Sequence, residues 1–221
     1  MLFDLRSRGR RRTVQVIYIG LAVLIGAGLV LFGVGTGSGG GGLFGAFTGS
    51  GSSSGSNNAV TSQVKQALAR TRKNPQSAAA WANLVNARFS AANSVGYDSN
   101  TNTYTKAGQE QLALVTRAYQ RYAALTRSPD PTTTALAARA YTQTSAWQSA
   151  SASYQALLQT SPGNIRYLEC VAMTSYAAKN DRVGSLAETR LLAKLPKSTK
   201  AQYKSLLTQA KTSTAVVTES C

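Results

Sequence analysis

Cys170 and Cys221 are the only two thiols in the chain, and histidine is absent. The common zinc sites and every triad built on an imidazole need histidine. Two thiols cannot make a four-thiolate metal site or a disulfide-dense scaffold. One disulfide between them is permitted in an oxidising compartment. The alternative is that Cys170, inside a helical pattern, serves as a small buried apolar residue. Beyond Asp4, the acids are Asp98, Glu110, Asp130, Glu169, Asp181, Glu188 and Glu219, with no close pair for general acid–base work. The glycine run at 37–42 lacks the Lys-Ser/Thr ending and the preceding strand of a phosphate-binding loop. The residue types therefore predict no enzyme, no cofactor and no metal.

Charge is the stronger signal. Among 221 residues, 24 Lys and Arg face 8 Asp and Glu, a formal net charge of +16. Arg6, Arg8, Arg10, Arg11 and Arg12 crowd the start, and the next charged residue is Lys65. Between them, Val14 to Val34 carries no charge. As a helix this stretch would be about 31 Å long, close to the thickness of the hydrocarbon layer. It is longer than the apolar region of a cleaved signal peptide and runs into glycine, which favours an uncleaved anchor. Cationic flanks stay in the cytoplasm. The reading is a cytoplasmic basic tail over 1–12, a transmembrane helix over 13–34, and everything later on the far side of the plasma membrane. Residues 35–58 are rich in glycine and serine and predict a flexible linker, interrupted by Leu43, Phe44 and Phe47.

From Ala59 the glycine content falls and helical periodicity begins, as in Val60, Val64 and Leu68. Breaks are expected at Asn74-Pro75, from Ser94 to Thr105, and at Asp130-Pro131. Others fall near Ala146, at Ser161-Pro162-Gly163, at Asn180-Asp181 and at Leu195-Pro196. Ser77 is placed to cap a helix running through Trp81, Leu84, Val85 and Phe89. No stretch has the sustained alternation of a sheet. The fold class is all-α: seven or eight helices over 59–211, followed by a polar tail at 212–221.

Pro129, Pro162 and Pro196 lie 33 and 34 residues apart, which invites a search for repeats. With Pro131 as position 1, Ala138, Tyr141, Ala150, Tyr154, Leu157 and Pro162 follow the small, aromatic, small, aromatic, apolar and proline pattern of a 34-residue helical hairpin. Residues 131–164 thus resemble a tetratricopeptide repeat. A second unit starts at Ile165, with Leu168, Val171, Ala172, Gly184, Leu191 and Pro196 in register, and departs from the pattern at Ser175 and Glu188. A first unit starts at Ala78 and is lengthened by an insertion. The resemblance implies a solenoid of about three hairpins plus end helices, with a groove lined by the first helix of each hairpin.

Carried onto this register, the groove positions are Asn86, Phe89, Arg139, Thr142, Gln143, Arg166, Met173 and Tyr176. Amide and arginine donors beside an aromatic and a thioether suit a peptide, although Phe89, Met173 and Tyr176 equally suit ordinary packing. A second candidate surface is Lys194, Lys197, Lys200, Lys204 and Lys211, which would attract anionic lipid or envelope polymer. Nucleic acid fits the charge, but no recognised nucleic-acid motif is present. The layout of anchor, tether and repeats looks like membrane-anchored repeat proteins of actinobacterial type. It implies a protein-interaction scaffold of the cell envelope, with secretion-channel or chaperone components as candidate partners. The competing expectation is an envelope-structural element that holds anionic lipid or polymer.

Overall fold

The computed structural model describes residues 53–221, and side chains from Val60 onward. The cytoplasmic tail, the membrane span and most of the linker expected above lie outside the described residues. Among the described residues, no helix is long and apolar enough to cross a membrane.

The described chain forms nine helices: α1 (Ser53–Lys73), α2 (Ala78–Gly96), α3 (Lys106–Leu125), α4 (Pro131–Gln143), α5 (Trp147–Thr160), α6 (Ile165–Ala177), α7 (Asp181–Lys194), α8 (Lys197–Thr212) and α9 (Thr214–Ser220). Local chemistry sets most of the starts. Ser77 Oγ accepts the Ala80 N–H at 3.2 Å, Asp130 Oδ2 the Thr133 N–H at 2.7 Å, and Asn164 Oδ1 the Tyr167 N–H at 3.1 Å. Each bond satisfies an amide that the first helical turn leaves without a partner. Pro131 adds a preset φ at the start of α4, where its missing N–H costs nothing.

The two central hairpins repeat with a period of 34 residues in every boundary. Adding 34 to Pro131–Gln143 gives Ile165–Ala177, and adding it to Trp147–Thr160 gives Asp181–Lys194. Their turns also match bond for bond. Ser145 and Lys179 both take left-handed backbone conformations, with φ of 57° and 58°. The N–H groups of Ser145 and Ala146 donate to the carbonyls of Thr142 and Tyr141, and those of Lys179 and Asn180 to the carbonyls of Tyr176 and Ser175. This is the double closure that ends a helix with a left-handed residue just beyond it. Neither residue is glycine, so both turns hold a side chain in a region that disfavours one.

Consecutive helices pack on one another from α2 through α7, and α2 also touches α4. One apolar cluster joins α1 through α5 around Leu84, Val85, Leu112, Val115 and Tyr141. A second joins α4 through α9 around Leu157, Leu168, Met173, Leu191 and Leu207. The first hairpin is longer than the other two, and the extra residues are shared among α2, the connection after it and α3. At the closed end of this hairpin the backbones of α2 and α3 meet. A Cβ on Gly96 would overlap the Gly108 backbone at its Cα, and one on Gly108 would strike the Gly96 carbonyl. Glycine is required at both positions because two main chains occupy the space a side chain would need.

Three expectations are corrected. The linker was expected to extend to residue 58, but α1 begins at Ser53. The break expected from Ser94 begins later and is ordered. Here α2 continues to Gly96, and Tyr97–Asp98 pairs antiparallel with Thr103–Tyr104. Asn102, with φ of 52°, turns this hairpin, and the rings of Tyr97 and Tyr104 meet edge to face with centroids 5.1 Å apart. Finally, 212–221 is not a free polar tail. It contains α9, and Val217 is completely buried.

Candidate functional site

The groove positions read from the sequence lie on α2, α4 and α6. Asn86, Arg139 and Arg166 are exposed. Asn86 Nδ2 donates to the Ala82 carbonyl at 3.0 Å, which folds the amide back on its own helix. Phe89 is buried in the first apolar cluster and is a packing residue. Thr142, Met173 and Tyr176 are also covered, at 0%, 0% and 2% exposure. They are therefore not open to a partner in this state; Met173 lies against Cys221, and Tyr176 against Glu188 and Lys211.

Helix α9 lies against α4, α6 and α8, while α8 packs on α6. Gln143 Nε2 donates to the Thr218 carbonyl at 2.9 Å, and the Tyr154 hydroxyl donates to the Cys221 carbonyl at 3.0 Å. Val217 sits in the same apolar cluster as Met173, Leu207 and Ala210. A disulfide joins Cys221 to Cys170 of α6, with Cα atoms 5.6 Å apart, and Met173 Sδ lies 3.9 Å from Cys221 Sγ. The open question of the thiols thus resolves as a pair, with Cys170 both buried and bonded.

Tyr176 is held by a hydrogen bond to Glu188 of α7, and Lys211 of α8 lies over its ring, 4.5 Å from the centroid. Burial, and then the Glu188 acceptor, raise the pKa of this phenol. Gly184 faces the same ring, and a Cβ there would overlap it. Lys211 also pairs with Glu188 at 3.6 Å. It therefore belongs to this junction and is not part of a free basic face. Lys194, Lys197 and Lys204 are exposed, and Lys200 is half-exposed. On α8, Lys197, Lys200 and Lys204 fall within roughly 60° of one another around the axis.

Arg166 Nη1 donates to Glu169 Oε2 at 3.2 Å. Glu169 is buried, and burial holds its carboxyl above the ordinary value, partly offset by Arg166. The folded form therefore keeps this proton to a higher pH than the unfolded chain does. Between the two values folding takes up a proton, so stability falls as pH rises. Glu169→Gln is expected to raise the melting temperature at about pH 8 and to leave it nearly unchanged at about pH 4, where both side chains are neutral. Circular-dichroism melts across that range check the sign.

Sequence reasoning missed one basic feature. A groove of about 500 Å³ lies among α1, α2 and α3, with Leu68, Trp81, Leu84 and Leu114 in its walls and Arg88, Arg117 and Arg121 beside them. Arg88 donates to Gln111 Oε1 at 2.9 Å, and burial lowers its pKa. No acidic residue lines the groove. The four-residue spacing of Arg117 and Arg121 was the available signal, since it places both on one helix face.

Family models, curated proteins and solved structures were compared with the chain, and none matches it.

Proposed function

We propose that the chain is a membrane-tethered, extracytoplasmic interaction scaffold of tetratricopeptide type, without catalytic activity, that holds segments of other proteins on the face shared by α4 and α6. The observation that carries this reading is that the face already holds a chain segment. Residues 214–221 meet Gln143 of α4, Tyr154 of α5 and the cluster around Met173 of α6, and these contacts combine one fully buried aliphatic side chain with hydrogen bonds to main-chain carbonyls. Main-chain contacts position a peptide without reading its side chains, and the buried pocket supplies the selectivity. The 34-residue period of α4–α5 and α6–α7 supports the repeat assignment. The charge asymmetry about Val14–Val34 supports the anchor and its orientation. Secretion-channel or chaperone components are partners of the right kind for a scaffold in that place.

The test is site-specific photocrosslinking in intact cells from Arg139 and, separately, from Lys204. The reading expects one protein adduct from Arg139 that is absent from Lys204, together with cleavage of the helical domain by protease added to spheroplasts. A domain protected from that protease overturns the placement. The second reading, an element that binds anionic lipid or polymer, is favoured by the lysine row on α8. It expects the purified domain to bind anionic vesicles with a steep salt dependence, and charge reversal at Lys197, Lys200 and Lys204 to abolish that binding.

A further inference from the structure

We infer that residues 214–221 occupy the α4–α6 face as a tethered competitor, and that opening the Cys170–Cys221 disulfide releases them and frees the face for a short peptide of like chemistry. This rests on the reading of that face as a peptide site.

Three observations lead here. The segment meets the face as a ligand would, through carbonyl acceptors and one anchoring side chain, Val217. The segment is also a poor structure by itself. A helix of seven residues is far too short to persist alone, so its docked form depends on what fastens it. The fastening is a covalent bond from Cys221 to α6 across 51 residues of sequence. Without it, two hydrogen bonds, from Gln143 of α4 and Tyr154 of α5, and the packing of Val216 and Val217 would have to order the whole segment against its conformational entropy.

The two sulfurs differ in access. Cys170 is 1% exposed, whereas Cys221 is only partly buried. A dithiol would attack at Cys221: its thiolate bonds to Cys221 Sγ, the S–S bond breaks, and Cys170 leaves as a thiolate that takes up a proton. The second thiol of the reagent then displaces Cys221, so the protein gains two thiols and the reagent becomes a cyclic disulfide. Gln143, Tyr154 and Met173 lose their partners in the segment. The ligand that replaces it is a short, extended or helical peptide with a β-branched aliphatic residue between small hydroxyl residues, as in Thr-Ala-Val-Val-Thr.

The test uses the full chain and a fluorescent peptide of the sequence 214–221 with serine in place of the cysteine. Binding is read by anisotropy, and the segment's release by amide hydrogen exchange. The oxidised chain should not bind. After dithiothreitol the amides of 214–221 should exchange freely while α4 and α6 stay protected, and the affinity for the peptide should rise at least about tenfold. The full-length Val217→Asp variant, whose segment cannot seat, should bind the peptide even when oxidised. Binding to Val217→Asp, with no effect of dithiothreitol on the unsubstituted chain, would overturn the latch and leave the peptide site standing. No binding to either form, although 214–221 exchanges freely, would overturn the peptide site and the latch together.

Discussion

Gly96→Ala or Gly108→Ala is expected to cost about 3 kcal/mol, the upper part of the range for overpacking. The added methyl group meets backbone first in both cases, and at Gly108 the Tyr104 ring as well. Relief requires α2 and α3 to separate where the chain passes into the Tyr97–Tyr104 hairpin. Thr105 N–H donates to the Gly96 carbonyl at 2.8 Å there, and Thr105 Oγ1 caps α3 through Gly108 N–H. The damage therefore spreads to a cap and a turn. Gly163→Ala is the control, because the nearest atom to its added methyl is Lys194 Nζ at 3.6 Å, an ordinary contact. Urea unfolding of the three variants should show two large losses and one change close to zero. Equal losses at all three would mean that the close approach of the two main chains does not govern these sites, since alanine is the better helix former.

Leu168→Ala carries the second large effect, a loss of roughly 2–5 kcal/mol. Leu168 is completely buried in the cluster that joins α4 through α9, among residues that include Leu157, Tyr154 and Leu191. Truncation removes its transfer free energy and leaves a cavity that rigid helices cannot close. Leu186→Ala, at a position 61% exposed on α7, should change stability by less than about 0.5 kcal/mol. Thermal or urea melts of the pair separate a packing role from a general preference for leucine in the helices.

The helix boundaries read correctly from the sequence were those with a local cause. Ser77, Asp130-Pro131, Asn164 and Asn180 act within four residues of themselves, and such chemistry can be read from a short window of sequence. The period of 34 was legible for the same reason, through the spacing of prolines and small residues. The cover over the groove was not. Residues 212–221 look polar, and only Val216 and Val217 hint at burial. What orders them is a bond to Cys170, 51 positions away, and hydrogen bonds from Gln143 and Tyr154. Spacing along the chain carries no information about such partners.

The candidate site divides along the same line. Arg139 and Arg166 are exposed, which for Arg139 follows from its place in the helix period between buried neighbours. Thr142, Met173 and Tyr176 lie on α4 and α6 but are buried, Met173 beside Cys221 and Tyr176 against Gly184, Glu188 and Lys211. Lys211 looked like one lysine of a row, and its role at Tyr176 and Glu188 emerges only when α8 is laid on α6 and α7. The short strands at Tyr97–Asp98 and Thr103–Tyr104 were hidden because two-residue strands leave no alternation to count.

The left-handed turns at Ser145 and Lys179 bear on how such a chain can drift. A hydroxyl residue in one hairpin and a cation in the other perform the same closure, because the donors and acceptors are all main-chain atoms. The side chain at these sites is therefore no part of the closure, while the spacing around it is fixed. Two hairpins of one geometry can thus share an interval of 34 positions and few side chains.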